Sequence, residues 1–250
     1  MSLRIVNWNV QFATPRSWRT PEILGRIDWH EPEIVCLTET HEELLARGGY
    51  AICSRADYGY GLQKNRRKVL LWSKEPWHQV DNLGIESLPP GRFVSGVTKT
   101  SVGEVAVIGV CIPWFGSRTE ARRGAERRGQ WEDHEAYLAG LSEVLERVDA
   151  RRLIVMGDFN QAIGQGSRAP RALRLALQEA FSPKLRIVTA DLVFQGRKSI
   201  DHIALSVGWS VETLVAISNI HGERNLSDHF GVAADVSIRP ASDPMDSDYE

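Results

Sequence analysis

The stretch NLSDHFGVAADV, Asn225–Val236, sets an acid and an imidazole side by side, Asp228 and His229, at the mouth of a mostly apolar run. A polar pair ahead of a strand is the ordinary composition of a turn. It is also the composition of half an active site, because a carboxylate beside a histidine can orient and charge the ring. Both readings stay open until the rest of the chain is set beside this stretch.

The run that follows, GVAADVSI (Gly231–Ile238), has six counterparts of similar length. They are LRIVNWNV (Leu3–Val10), EIVCLTET (Glu33–Thr40), KVLLWS (Lys68–Ser73), EVAVIGVCIPW (Glu104–Trp114), RLIVMGDFN (Arg152–Asn160) and SIDHIALS (Ser199–Ser206). Short runs rich in Val and Ile with polar ends predict buried strands. Helical spacing falls between some of them. In GQWEDHEAYLAGLSEVLERV (Gly129–Val148), Trp131, Leu138, Leu141, Val144, Leu145 and Val148 share one face. APRALRLALQEAF (Ala169–Phe181) puts Leu173, Leu177 and Phe181 on a stripe, and a third helix is expected over Thr20–Asp28 with Pro21 in its first turn. Strands outnumber helices, so one α/β domain is expected over residues 1–240, with packed sheets and covering helices. The end of the chain, RPASDPMDSDYE (Arg239–Glu250), is acidic and without apolar periodicity, and residues 241–250 are expected to form a disordered tail.

Composition excludes several classes. The 250 residues are 42% hydrophobic and 25% charged, which is globular composition. A net charge of −2 rules out a global basic field, although a local basic groove stays open. The three cysteines, Cys36, Cys53 and Cys111, are widely spaced, and two lie in apolar runs, which speaks for buried reduced thiols. Neither a leader pattern nor an apolar run of membrane-spanning length, about 20 residues, is present, so the expectation is a cytoplasmic protein without a membrane anchor.

The chemistry gathers at the strand ends. Asn9 and Glu39 end two runs, Asp158 and Asn160 end a third in GDFN, Asp201 lies in a fourth, and Asp228 and His229 precede a fifth. Each alone is an ordinary turn or cap residue. Together they are carboxylates, amides and one imidazole in an apolar framework, and burying such carboxylates together requires a cation. Oxygen donors without sulfur or clustered imidazoles suit magnesium or manganese.

The ordered set NWNV, LTET, IPWFG, GDFN, SIDHI and LSDH resembles the endonuclease/exonuclease/phosphatase superfamily, the fold of DNase I-like nucleases and AP endonucleases, from Ile5 to Val236. The resemblance implies a four-layer α/β sandwich, two mixed β-sheets face to face with helices outside. It implies metal-assisted hydrolysis of a phosphodiester, with Mg2+ or Mn2+ at Glu39 and Asn9 and with Asp228 close enough to ligate. It assigns Asp158 to the attacking water and Asn160 to the scissile phosphate. Asp201 would fix the tautomer of His229, which would contact phosphate or act as base. Whether Asp158 or His229 takes the proton is left open.

Two positions depart from that pattern. Cys111 stands where members place a His or Tyr, and Gln11 where many nucleases carry an Asp or Asn, which puts a second metal in doubt. Alternation sends His202 away from Asp201, and His134 is expected on the solvated side of its helix. KNRRK (Lys64–Lys68) is basic, as is the segment carrying Arg118, Arg122 and Arg123 after the IPWFG loop. That segment reads equally as a phosphate-tracking edge or a solvated loop. Trp114 and Phe115 read either as a stacking edge for a base or as ordinary loop packing. The expected substrate is therefore a phosphodiester, nucleic acid first. A small-molecule or lipid phosphohydrolase of the same fold and a non-catalytic binding module are the alternatives.

Overall fold

The structure, a computed structural model, describes residues 1–119, 129–149, 151–164 and 166–239. Arg122, Arg123 and the tail expected over 241–250 lie outside the described residues.

In chain order the first half runs β1 (Leu3–Asn9), α1 (Thr20–Trp29), β2 (Ile34–His41), β3 (Tyr50–Cys53), β4 (Arg66–Ser73), β5 (Trp77–Asp81), β6 (Phe93–Thr100) and β7 (Gly103–Cys111). Then come α2 (Glu132–Arg147), β8 (Leu153–Asp158), α3 (Arg171–Phe181), β9 (Leu185–Ile187), β10 (Val193–Phe194) and β11 (Arg197–Lys198). Last are β12 (Asp201–Ser206), β13 (Trp209–Ile217), β14 (Ile220–His221), β15 (Arg224–Asn225) and β16 (Gly231–Ile238). One six-stranded sheet has the order β13-β16-β1-β2-β4-β3 and the other β5-β6-β7-β8-β12-β9. Both are mixed: β1 runs parallel to β2 and antiparallel to β16, and β7 runs parallel to β8 while β12 is antiparallel to it.

Alternation along each strand builds four layers. On β1, Leu3 and Ile5 face inward and pack with Val107, Ile154, Met156 and Ile203 of the other sheet. Val6 and Trp8 face outward and pack with Ile23 and Ile27 of α1. On the far side, Val155 and Ala204 meet Leu141 and Leu145 of α2 and Leu173 and Leu177 of α3. The order is helix, sheet, sheet, two helices, which is the expected four-layer sandwich.

The strands absent from the sequence expectation include all four edges of the two six-stranded sheets, β3, β5, β9 and β13. An edge strand has one neighbour in its sheet, so it buries less of its surface. Trp77–Asp81 is mostly exposed, and Trp209–Ile217 is buried only at its two ends, with half-buried and exposed residues between them.

Asn7 joins the two sheets near the functional end. It is buried, and its Nδ2 donates to Gly157 O at 3.0 Å and His202 O at 3.1 Å on the facing sheet. Gly157, at φ 146°, runs so close to β7 that a Cβ there would sit 1.9 Å from Val110 O. Asn7→Ala is expected to destabilise the fold by about 1–3 kcal/mol, because both carbonyls lose a buried donor. The midpoint of urea unfolding measures it, and an unchanged midpoint would contradict the bridging role.

Candidate active site

The ends of β1, β2, β8 and β12 and the turn before β16 converge on one cleft. The last antiparallel pair between β8 and β12 sets Asp158 directly opposite Asp201. Both are buried, at 1% and 2% exposure, so two carboxylates face each other out of water. Burial raises Asp158, His229 opposes the rise, and Asp201 and Glu39 add to it, leaving the group at about 7. Asp201 is raised as well, by burial first, against the pull of His229.

His229 is the positive partner. Its Nδ1 lies 2.6 Å from Asp201 Oδ2 and donates the proton, which leaves Nε2 facing the cleft. Burial by itself would lower the ring, but Asp201, Asp158 and Asp228 together outweigh it and raise the group to about 10. Without a metal, these carboxylates favour the imidazolium form of the ring.

The opening pair proves to be a turn that carries a site. Ser227, fully buried, donates its hydroxyl to Asn9 O at 2.7 Å and accepts the N–H of His229 at 3.2 Å. Trp8 Nε1 donates to His229 O at 2.9 Å. Asp228 keeps its side chain 59% exposed, 4.0 Å from His229 Nε2.

Two amides orient Asp158. Asn9 Nδ2 donates to Asp158 Oδ2 at 2.9 Å, and Asn9 Oδ1 accepts the N–H of Gln11. Asn160 donates its backbone N–H to Asp158 Oδ1 at 2.8 Å. Its Nδ2 is shared between Ile112 O at 2.8 Å and Asp158 Oδ2 at 2.9 Å. Asn160 sits at φ 52°, a left-handed conformation that Asn tolerates well. The amide that the resemblance assigns to phosphate is thus engaged in holding Asp158.

Glu39 comes from the end of β2. Alternation alone would send it outward with Val35 and Leu37, but its φ of 46° takes it out of the ladder. Its charge adds to the field on Asp158, and its Oε1 lies 2.6 Å from Lys68 Nζ.

The donor set fits a divalent cation. Asp158, Asp201 and His229 each offer an atom within 4.8 Å of the others, and Glu39 and Asp228 supply further carboxylate oxygens. Asp201 Oδ2 is taken by His229 Nδ1, and both Asp158 oxygens accept from Asn9 and Asn160, so the acceptors left over include Asp201 Oδ1, which is buried without a hydrogen-bond partner, the carboxylates of Glu39 and Asp228, and the second lone pair of Asn9 Oδ1. A cluster this acidic and this buried, with Asp158 driven to about 7, is short of positive charge.

The loop after β7 starts beside the site, where Ile112 O accepts from Asn160 Nδ2. Trp114 and Phe115 are 49% and 44% exposed and meet edge to face with ring centroids 4.9 Å apart. The loop is tied down by Asp133, which accepts from Ser117 Oγ and Thr119 N, both at 2.8 Å. Arg118 N donates to Tyr60 Oη at 2.8 Å, so the loop before β4 locks against it, and the Arg118 side chain is half-buried.

Four histidine and cysteine readings are settled by packing. His202 is fully buried, with Nε2 donating to Gln161 O and Nδ1 accepting from Thr189, a structural role. His134 corrects the expectation of a solvated side: it is fully buried, with Nδ1 2.7 Å from Pro113 O, because it pins the Trp114 loop to α2. His41, at the end of β2, keeps only 15% of its side chain exposed. Cys111 is a core thiol raised to about 12 by burial, despite Lys68 and Arg92, and so is no nucleophile.

The residues that sequence reasoning missed are Ser227, Trp8, Lys68 and Arg92. Ser227 precedes the Asp-His pair, where a hydroxyl commonly caps a turn, and that signal was available. Lys68 was visible only as the end of a basic cluster. Nothing marked Trp8 or Arg92.

The sequence matches the Endonuclease/Exonuclease/phosphatase family over residues 6–229. The chain belongs to that family. Its other resemblances are structural. The 3' phosphatase NExo from Neisseria, solved with a product DNA hairpin, superposes with a TM-score of 0.68 at 19% identity, covering 93% of this chain and 98% of that one. The human Nocturnin catalytic domain, solved with sulfate, gives 0.66 at 19% identity over 95% and 94%. An endonuclease/exonuclease/phosphatase from Beutenbergia cavernae gives 0.64 at 18% identity over 95% and 72%. No curated protein matches the chain significantly. Among the described residues no helix is long and apolar enough to cross a membrane.

For this Endonuclease/Exonuclease/phosphatase family member, the charge on His229 is directly measurable. In metal-free protein at pH 7.5, the imidazole nitrogens of His229 are expected to show the NMR shifts of a doubly protonated ring. Asp201→Asn should bring its titration down. The stability that the pair supplies is complete below the ordinary histidine value of about 6.5 and is lost as pH rises toward about 10. A neutral His229 ring at pH 7.5 would contradict this.

Proposed function

We propose that the chain is a divalent-metal-dependent phosphodiester hydrolase acting on nucleic acid, with Mg2+ or Mn2+ held by Glu39, Asn9 and Asp228. The observation that carries the reading is the buried Asp201–His229 pair at 2.6 Å, facing an Asp158 that two amides orient. Bound there, the cation would neutralise charge on the phosphate and on the leaving oxygen.

The side chains divide the remaining work by their protonation. His229, held charged by Asp201, presents Nε2–H as a donor to a phosphate oxygen and is a poor base. Asp158, near 7, is matched to accepting a proton from water at neutral pH. Asn9 and Asn160 fix which lone pair of Asp158 meets the water. On this reading the proton goes to Asp158.

Nucleic acid as substrate is supported by the exposed Trp114–Phe115 edge, which suits base stacking, and by the arginines at 118, 122 and 123 in the sequence. It is supported further by the DNA hairpin in the Neisseria structure.

The test is a Mg2+- and Mn2+-dependent hydrolysis screen over single-stranded DNA, duplex DNA, RNA, nucleotides and phospholipids. Nucleic acid is expected to be cut, with affinity falling steeply as salt rises. Asp158→Asn and Glu39→Ala should each lower kcat by about 100-fold or more, in line with the loss of a general base or a metal ligand. Cleavage confined to small or lipid phosphoesters would overturn the substrate reading. Inactivity on every phosphoester would leave a binding module.

A second outcome concerns the loop. Trp114→Ala is expected to raise KM for single-stranded substrate by about 5-fold or more, the scale of one stacking contact, with little change in kcat. A kcat loss at constant KM would place Trp114 in the chemistry instead.

A further inference from the structure

The carboxylate assigned to the metal already has a cation. Lys68 Nζ lies 2.6 Å from Glu39 Oε1, and the residue is only 8% exposed. The sheet builds this pair. The ladder sets Thr38 against Val69 and Thr40 against Arg67, so Glu39 and Lys68 stand opposite each other on β2 and β4. Two aromatic faces confine the ammonium: Nζ lies 5.1 Å from the Phe12 ring centroid and 5.3 Å from that of Tyr58. Rings attract a cation without offering it a hydrogen bond, so Glu39 is the one acceptor the ammonium has among the described residues.

The neighbouring backbone is arranged to keep the pair. Glu39 and Phe12 both have positive φ, and Phe12 N donates to Glu39 O, which fixes the aromatic wall to the carboxylate's own residue. Arg66 covers the Phe12 ring at 4.6 Å, and Tyr58 is itself buried. Lys68 cannot swing to solvent without leaving both rings.

We propose that Lys68 is a built-in counter-ion of Glu39, which leaves Oε2 as the carboxylate oxygen open to a metal and holds down the site's affinity for a divalent cation. The inference rests on the reading above that Glu39 binds the metal. The physical ground is charge. A confined ammonium on one oxygen of a ligand carboxylate withdraws charge from that ligand and repels any cation on the other oxygen. The coupling is reciprocal, so an arriving cation loosens the Lys68–Glu39 pair by the same factor. In the metal-free protein the same ammonium balances Glu39 beside the buried Asp158 and Asp201, which keeps an empty acidic cleft stable.

Calorimetric titration of the metal-free full chain with Mn2+ tests this, with thermal melts of the same samples. Lys68→Met is expected to bind Mn2+ about 10-fold more tightly than wild type. It should melt at a lower temperature without metal and gain more from Mn2+. Lys68→Arg should keep near wild-type affinity, and Lys68→Gln, which preserves a hydrogen bond to Glu39 without charge, should follow Met and serves if Met does not fold. Equal or weaker Mn2+ binding by the neutral variants overturns the counter-ion role. If wild type binds Mn2+, Glu39→Gln abolishes binding and the neutral lysine variants change nothing, only this inference falls. If wild type binds no Mn2+, or Glu39→Gln binds as wild type does, the metal assignment at Glu39 falls with it.

Discussion

Two carboxylates buried against each other are the constraint on which the site depends. Asp158 and Asp201 are cross-strand partners at the end of the β8–β12 ladder, and like charges in that position repel. In water the repulsion would be screened, but at 1–2% exposure it is not. Each neighbour in the cleft is answerable to that problem. His229 brings a positive charge to Asp201, Asn9 and Asn160 bring N–H groups to Asp158, and a divalent cation would complete the balance. The same arrangement separates the two carboxylates chemically: one is committed to the imidazole, and the other is left near neutrality.

The sandwich is what makes such burial feasible. Two sheets packed through Ile5, Val107, Ile154 and Ile203 exclude water from the space beneath the cleft. Asn7 spans them where apolar packing gives way to polar chemistry, with hydrogen bonds to Gly157 O and His202 O. Above that level the strand ends diverge, and the loops take over. Their anchors are themselves buried polar groups: Asp133 beneath the Trp114 loop, His134 between that loop and Gln161, and Ser227 under the Asp228–His229 turn. The loops around the site are tied down by these buried side chains.

Positive charge enters the site in three different ways. His229 acquires it from its acidic surroundings, Lys68 carries it on an ammonium that two rings confine, and Arg92 is buried behind Cys111 with Nη1 on Cys111 O at 3.3 Å. A cleft formally rich in carboxylates is thus lined from behind with cations. That is consistent with a near-neutral chain, and it is why overall charge says little about what the cleft binds.

The sequence alone determined the central strands, the helices and the order of the candidate site residues. Alternation in Leu3–Val10 and its counterparts follows from the two-residue period of a strand, and the spacing of Leu138, Leu141 and Leu145 from the period of a helix; both are local rules that any reader can apply. The order of polar residues at strand ends, from Asn9 to His229, was legible for the same reason. Sheet edges were not, because strands such as β5 and β13 keep most of their residues half-buried or exposed, without the regular alternation of a strand with one buried face. Nor was the pairing of charges. That Asp158 opposes Asp201 depends on the register of two strands more than forty residues apart. That Glu39 faces Lys68 depends on a sheet ladder and a positive φ, and that His134 is buried depends on a loop folding back over its helix. Register, burial and the fields they create exist only once distant segments meet, so the charge states that set the chemistry belong to the tertiary structure.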